Sequence, residues 1–563
     1  MAGKKSRGGA YASLSLRPAP KGREVDQHAH EQVVELLGAE PRTRDLLIEH
    51  LHRLQDHFGC LTAAHLTALA HEMRLTPAEV YEVATFYHHF DVVKEGDAVP
   101  PQLTVRVCDS IACHLAGSEA VVAGLRGRLG DDVRVIAAPC IGQCDGAPAA
   151  LVGRHAVRSA TVESLAAAVR AGHTEPLIPP YVEYSIYRQN GGYEMLAKCV
   201  TGQRDVEDVI DVLDQSGLRG LGGAGFPSSR KWRFVRAESA PRFTVMNADE
   251  GEPGTFKDRF CMETDPHRVL EGLLIASWVI GAGAVYIYLR DEYATARAIL
   301  TREIAALQAN PPCELPPIVL RRGAGAYICG EESALIESLE GKRGEPRLRP
   351  PFPAQYGLFG RPTLVHNVET VYWMREILEH GPDHFSANGM NGHTGKRYFS
   401  VSGRVARPGV YLAPNGVTVR QLIDEYAGGM LPGHTLYGYL PGGASGGILP
   451  ESLADHPLAF DVLAKFGSFI GSAAIVVFSQ HDRARDVALN LMQFFAHESC
   501  GKCTPCRQGT AKSVGLLERA HWDMPLLKDL GVAMSDASIC GLGQAAPNPV
   551  RCVETYFAQE FES

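Results

Sequence analysis

The sequence has no clean membrane span, no lopsided charge and no export signal, and each lack removes a class of protein. The longest apolar run, "GLLIASWVIGAGAVYIYL" from Gly272 to Leu289, reaches the length of a span but carries Gly-Ala-Gly in its middle. Its tail is β-branched and aromatic, so it predicts a buried helix, a tight turn and a buried strand. Net charge is −9 over 563 residues, too little to point to a nucleic-acid partner. The opening "MAGKKSRGGAYASLSLRPAPKGR" is the exception: basic, free of acidic residues, and read as a flexible arm over residues 1–25. It lacks the apolar core of a secretory signal. The expected location is the cytoplasm, with neither a membrane nor a nucleic acid as partner. That compartment is reducing, which argues against a disulfide framework for the 14 cysteines.

What is present is cysteine in two spaced sets. "VCDSIAC" and "APCIGQC" place Cys108, Cys113, Cys140 and Cys144 on loops that follow two alternating, strand-like stretches. The spacings, with four and three residues between cysteines, are wider than structural zinc knuckles and suit a 2Fe–2S cluster. A zinc site, or free cysteines near a redox fold, is the alternative. "HESCGKCTPCRQGT" supplies Cys500, Cys503 and Cys506, and "DASICGLGQ" supplies Cys540. Three thiolates on one turn with a remote fourth fit the corners of a 4Fe–4S cubane. Lys502 and Arg507 are expected to steady the thiolate charge. The remaining Cys60, Cys199, Cys261, Cys313, Cys329 and Cys552 are scattered and read as ordinary residues. The histidines show no ligand spacing.

Glycine and carboxylate recur in three further stretches. "GLRGLGGAGFPSSRKW" lets backbone N–H groups approach a phosphate or a flat ring, although it is neither a Walker sequence nor a strand-led dinucleotide fingerprint. "TVMNADEGEPGTFKDR" gathers Asn247, Asp249, Glu250 and Glu252 after a strand. "GAGAYICGEESALIESLEG" brings Gly325, Tyr327, Gly330, Glu331 and Glu332 ahead of an amphipathic helix. Carboxylates against glycine loops suit sugar hydroxyls and ring nitrogens, with helix N-termini and Lys231 taking phosphate. Clusters pass single electrons while nicotinamide takes a hydride, so a flavin is inferred between them.

From about Tyr181 onward these stretches, with "PPFPAQYGLFGRPT", resemble the flavin-bearing, NADH-binding subunit of respiratory complex I. Residues from about Gln27 to Pro180, with "TPAEVYEVATFYHHF" and the first four cysteines, resemble its 2Fe–2S neighbour. The resemblance implies FMN held by Gly220, Gly222, Gly223, Ala224 and Lys231 on the first loop. Asn247, Asp249 and Glu250 would act from the second, and Tyr327, Gly330, Glu331 and Asn367 from further on. It implies NAD(H) against Phe226, Phe234, Glu252, Glu332 and Phe352, the aromatic faces stacking on the dinucleotide rings. It assigns Cys108, Cys113, Cys140 and Cys144 to a 2Fe–2S cluster and Cys500, Cys503, Cys506 and Cys540 to a 4Fe–4S cluster. No side chain is expected to act as nucleophile or acid. Leu221, His366 and Arg349 depart from the family pattern, which has arginine, asparagine and lysine there.

Fusion of both parts in one chain is similar to soluble NAD-linked enzymes, and "RDLLIEHLHRLQD", "FDVVKEGD" and "LPGGASGGILP" resemble the beta subunit of metal-dependent formate dehydrogenases. That resemblance implies a partner alpha subunit with a molybdenum or tungsten pterin site and further iron–sulfur clusters. The diaphorase subunit of NAD-reducing hydrogenases, a complex I-type subunit, and a zinc or iron–sulfur scaffold with a vestigial pocket are the alternatives. The expected fold is multidomain α/β. A helical bundle (26–98) precedes a thioredoxin-like domain (99–180) and a Rossmann-like FMN and NAD domain (181–392). A β-grasp domain (393–480) and a helical 4Fe–4S domain (481–563) follow.

Overall fold

A computed structural model of the protein describes residues 23–561. All but the last three residues of the expected basic arm lie outside them. Helices Gln27–Leu37, Leu47–Phe58, Ala63–Met73 and Pro77–Phe86 form the N-terminal bundle. Three of them start on a side-chain acceptor, Asp26, Thr62 or Thr76, and Thr76 closes a capping box with Glu79. A four-stranded sheet follows, in the order Val133–Ala138, Leu103–Cys108, Ala150–Val152, His155–Val157. Its first pair is parallel and the other two are antiparallel. Helices Ser118–Leu125 and Val162–Arg170 cover it through Val121, Leu125, Leu165 and Ala168.

The central layer is an all-parallel sheet in the order Thr363–Asn367, Arg242–Ala248, Ala282–Leu289, Ile318–Arg322. The apolar run resolves as its pattern predicts, into helix Pro266–Ile280, a turn at Gly281 with φ +63°, and strand Ala282–Leu289. Leu273, Ile275, Val279 and Ile287 are wholly buried, because a parallel sheet is covered on both faces. Among the described residues no helix is long and apolar enough to cross a membrane. A five-stranded mixed sheet comes next, in the order Gly409–Pro414, Lys396–Gly403, Ala474–Ser479, Leu436–Leu440, Leu449–Pro450. Helices Ala484–His497, Thr504–Leu517, Met524–Ala537, Gly541–Ala545 and Asn548–Tyr556 close the chain.

The bundle is bolted to the parallel-sheet domain by buried polar contacts. His52 Nε2 lies 2.8 Å from the Gly323 carbonyl, and Tyr87 Oη donates to Ser338 Oγ at 2.9 Å. Asp291 sits at the centre, bonded by His89 Nδ1 at 2.7 Å and by Arg322, with Arg297 at 3.0 Å. Burial works to raise its pKa, but the Arg322 charge prevails and holds the carboxyl well below the usual range. Arg322 also reaches Asp56, which Arg154 of the thioredoxin-like domain pairs at 2.7 Å. The Pro- and Tyr-rich linker is pinned too: Tyr181 Oη donates to Glu303 at 2.7 Å and the Tyr184 N–H to the same carboxylate at 2.9 Å.

Helix Pro266–Ile280 packs so closely on helix Val368–Tyr372 that a Cβ at Gly272 would run into the Val371 carbonyl. Gly272→Ala is therefore expected to destabilise this domain by about 1–3 kcal/mol despite alanine's better helix propensity. Calorimetry should show a matching fall in the domain's melting transition.

Candidate functional site

The first four cysteines converge. Cys108 ends the central strand, Cys113 lies in helix Ile111–Leu115, and Cys140 and Cys144 flank the turn after strand Val133–Ala138. All are at most 3% exposed, and the Cys140 and Cys144 sulfurs are 3.4 Å apart. Hydrogen bonds from Cys108 and Cys144 hold the Cys140 thiol well below its usual range, while Cys108 and Cys144 are pushed up. Backbone N–H groups of Gly142 and Gly254 point at the Cys140 and Cys144 sulfurs, and Phe256 closes the apolar wall. Four buried thiols served by backbone donors are the donor set a 2Fe–2S cluster takes.

The second set converges as well. Cys503 precedes helix Thr504–Leu517, Cys506 lies in its first turn, and Cys540 precedes helix Gly541–Ala545, whose Leu542 and Gly543 N–H groups face the Cys540 sulfur. Burial pushes Cys506 up to about 11 and Cys540 to about 12, with the other thiols of the set adding to it. A Cβ at Gly543 would lie 2.8 Å from Cys506 Cβ, so only glycine lets the two arms of the site meet. Burial raises the pKa of the Cys500 thiol, and the Lys502 N–H and charge oppose it, as expected of a group that steadies the thiolate. Lys502 Nζ also donates to the Pro346 carbonyl at 2.8 Å, tying the cysteine loop to that segment, and Arg507 donates to the Gly501 carbonyl within the loop.

The three glycine and carboxylate stretches meet at the carboxyl ends of the parallel strands, where open α/β sheets bind ligands. The first loop joins helices Val206–Ser216 and Ser228–Ala237 and folds on itself through Gly220 N–H to Phe226 O at 2.8 Å and Gly225 N–H to Gly220 O at 3.2 Å. A Cβ at Gly222 would stand 3.0 Å from Asn367, and Gly223 has φ +125°. Gly222 and Ala224 lie exposed at the loop's tip. Leu221 is 2% exposed, its side chain in the core and its N–H on Thr370 Oγ1 at 2.9 Å, which explains a leucine there.

Asn247 and Asn367 are register partners on neighbouring strands. Asn247 donates to the Gly330 carbonyl at 2.8 Å and accepts from the Asp249 N–H at 3.1 Å. Asn367 donates to Asp258 at 2.5 Å, and Asp258 is paired with the fully buried Lys257 at 2.7 Å. Asp249 Oδ2 is buried without a partner among the described residues, and burial raises its pKa well above the carboxylate range. An orphaned acceptor beside glycine backbone fits a hydroxyl-bearing cofactor such as FMN. Lys231 Nζ sits between Glu332, at 3.0 Å, and the Val365 carbonyl, at 2.9 Å. Glu331 caps helix Glu332–Leu339, and Arg349 pairs with both glutamates. Tyr327 Oη donates to Glu252, which also accepts the Ser445 N–H at 2.7 Å from the β-grasp domain. His366 accepts from Trp232 Nε1 at 2.7 Å, and burial lowers its pKa to about 3, keeping it neutral. Phe226 and Phe234 lie 6.2 Å apart and half exposed; Phe352 stands 5.9 Å from the Arg349 guanidinium.

Glu250 departs from its neighbours. Its carboxylate accepts the Asp258 N–H at 2.8 Å, the Arg259 N–H at 3.0 Å and Tyr293 Oη at 2.8 Å, on the side facing the first cysteine set. Burial raises its pKa to about 7. Its carbonyl takes the Arg290 guanidinium, which leaves only its N–H for a flavin. Sequence reasoning also missed Arg397, fully buried 3.3 Å from the Gly471 carbonyl beneath the glycine loop, and two histidine–glutamate groups. These are His30 with His71 and Glu72, and His88 with His497 and Glu498; no spacing could have paired them.

Two cysteine quartets, the first buried and the second partly so, beside glycine and carboxylate loops at the carboxyl edge of a parallel sheet define an iron–sulfur flavoprotein. Four family models match: a Nuo51 FMN-binding domain over residues 213–375, a thioredoxin-like 2Fe-2S ferredoxin over 33–173, an SLBB domain over 398–449, and an NADH-ubiquinone oxidoreductase-F iron-sulfur binding region over 486–563. An NADH-quinone oxidoreductase F-subunit of Rhizobium meliloti (strain 1021) is 41% identical over 392 residues, 67% of this chain and 93% of the relative. NADH dehydrogenase (ubiquinone) flavoprotein 1, mitochondrial, of Dictyostelium discoideum is 41% identical over 373 residues, 63% of this chain and 78% of the relative. A chain of an NAD+-reducing NiFe-hydrogenase, solved in the air-oxidized state, superposes with a TM-score of 0.81 at 33% identity, covering 93% of this chain and 94% of that one. The chain belongs to the family of NADH-quinone oxidoreductase F-subunits, with a thioredoxin-like 2Fe–2S domain in the same polypeptide. It is an NAD-linked oxidoreductase subunit built for FMN, a 2Fe–2S and a 4Fe–4S cluster.

Because Cys540 reaches its site from a separate helix, Cys540→Ala should abolish the 4Fe–4S signal in electron paramagnetic resonance. The 2Fe–2S signal and the flavin absorbance should remain.

Proposed function

We propose that the protein is the diaphorase subunit of a soluble, cytoplasmic formate dehydrogenase. In this reading electrons from formate, oxidised at a molybdenum or tungsten pterin site in a partner alpha subunit, arrive through iron–sulfur clusters and leave as NADH, reversibly. The observation that carries the diaphorase reading is the junction itself: Arg290 ties the first cysteine set to the Glu250 loop, and Glu498, two residues before Cys500, accepts the Tyr327 N–H of the third glycine stretch. FMN, when bound, supplies the exchange between single electrons and a hydride. Asn247, Asp249 and Asn367 would hold its sugar-alcohol chain, with backbone contacts from Gly220, Gly222, Gly223 and Gly330. Lys231 is positioned for its phosphate, which would compete with Glu332 for the ammonium and free that carboxylate for a ribose of NAD(H). Phe226, Phe234 and Phe352 offer exposed faces to the dinucleotide rings, and Glu252 orients it with Tyr327 behind.

Formate as donor rests on the resemblance of the bundle helix "RDLLIEHLHRLQD" and of "LPGGASGGILP" to formate dehydrogenase beta subunits. A hydrogenase diaphorase is the second reading, favoured by the end-to-end superposition on the NAD+-reducing hydrogenase chain. The F-subunit relatives match only about two thirds of this chain, which speaks for a soluble assembly over a complex I-type one.

The natively co-purified assembly is expected to form NADH from NAD+ on adding formate and not on adding hydrogen; the reverse response would replace formate by hydrogen as donor. Loss of the orphaned acceptor should be equally plain. Asp249→Ala is expected to weaken FMN binding by about 1.5–3 kcal/mol, roughly ten- to hundredfold, measured by flavin fluorescence on the deflavinated protein.

A further inference from the structure

One arginine outside the sequence-derived site joins the 2Fe–2S loop to the flavin loop. Arg290 is the first residue after strand Ala282–Leu289 and is 5% exposed. Its Nη2 donates to the Cys140 carbonyl at 2.6 Å and to Glu292 Oε1 at 2.8 Å, while its Nη1 donates to the Glu250 carbonyl. A single guanidinium thus spans the main chain of a cluster ligand and the main chain of the residue after Asp249. Two neighbours reinforce the bridge. Arg259 Nη2 donates to Asp145 Oδ1 at 2.9 Å, one residue beyond Cys144, and its N–H rests on Glu250. Tyr293 donates to Glu250 and lies against Gly142, where any Cβ would run into its ring. Every strand of this junction passes through Glu250, which is why that carboxylate faces the cluster side.

We propose that Arg290 is a positioning residue: it fixes the 2Fe–2S loop against the flavin loop and favours the reduced cluster, with Glu292 as the opposing charge. The inference rests on the cofactor assignment above and not on the identity of the partner subunit. Reduction adds one electron and no proton, so the cluster site becomes one charge more negative. A buried cation hydrogen-bonded to a ligand's peptide stabilises that form, and Glu292 opposes it; salt screens such buried charges little. Arginine suits the place because its planar fork holds two carbonyls and a carboxylate together, which an ammonium does poorly.

The test is a potentiometric titration of the full chain with dithionite and mediators, followed by the 2Fe–2S paramagnetic signal. Arg290→Gln should lower the equilibrium constant for reduction at least tenfold, ~59 mV for a one-electron couple. Glu292→Gln should move it the opposite way, and Arg290→Lys should recover most of the loss. A role confined to packing predicts that Lys fails as Gln does and that Glu292→Gln leaves the potential in place; that result overturns the proposal. If Arg290→Gln cannot retain its cluster, the Glu292→Gln titration decides alone, an unchanged or lowered potential counting against the proposal. Absence of any 2Fe–2S signal from the unaltered chain would overturn the cofactor assignment instead.

Discussion

Charge collected at the carboxyl edge of a parallel sheet has to be matched by partners from outside that sheet. Strands Arg242–Ala248 and Ala282–Leu289 end side by side and deliver Asp249, Glu250, Arg290, Asp291 and Glu292 into the interior within a few residues. Left alone, such groups would carry a large desolvation cost. The molecule answers by bringing other domains to them: the bundle through His89, the thioredoxin-like domain through the Cys140 carbonyl, and the β-grasp domain through Ser445 to nearby Glu252. The relative placement of the cofactor sites follows from that matching. Buried ion pairs of this kind are a weak source of net stability, but breaking one partner is costly, so they define a single docking.

Much of this was legible in the sequence, for local reasons. The turn at Gly281, the strands before the cysteines and the capped bundle helices are written in periodicity and cap residues over a few positions each. The cysteine quartets were legible because ligand sets have characteristic spacings.

The rest depends on side-chain direction in three dimensions. Nothing in "NADEGEPG" distinguishes Glu250, turned to the cluster, from Asp249, turned inward without a partner. Lys502 and Arg507 sit beside the thiolates in sequence, but only the structure shows that their side chains also hold the Pro346 and Gly501 carbonyls. Leu221 looked like a missing charge until its burial showed that the position faces the core. Arg290 directly follows a stretch read only for its apolar run, and its carbonyl partners are 150 and 40 residues away.

The pinned linker has a thermodynamic meaning beyond tidiness. Two separate polypeptides must meet anew, losing translational and rotational freedom on each encounter. Tethering by residues that themselves lie fastened along helix Ala294–Ala309 replaces that encounter with a high effective concentration. The contact surface between the two halves is thereby free to stay polar and finely adjusted, because cohesion no longer depends on it.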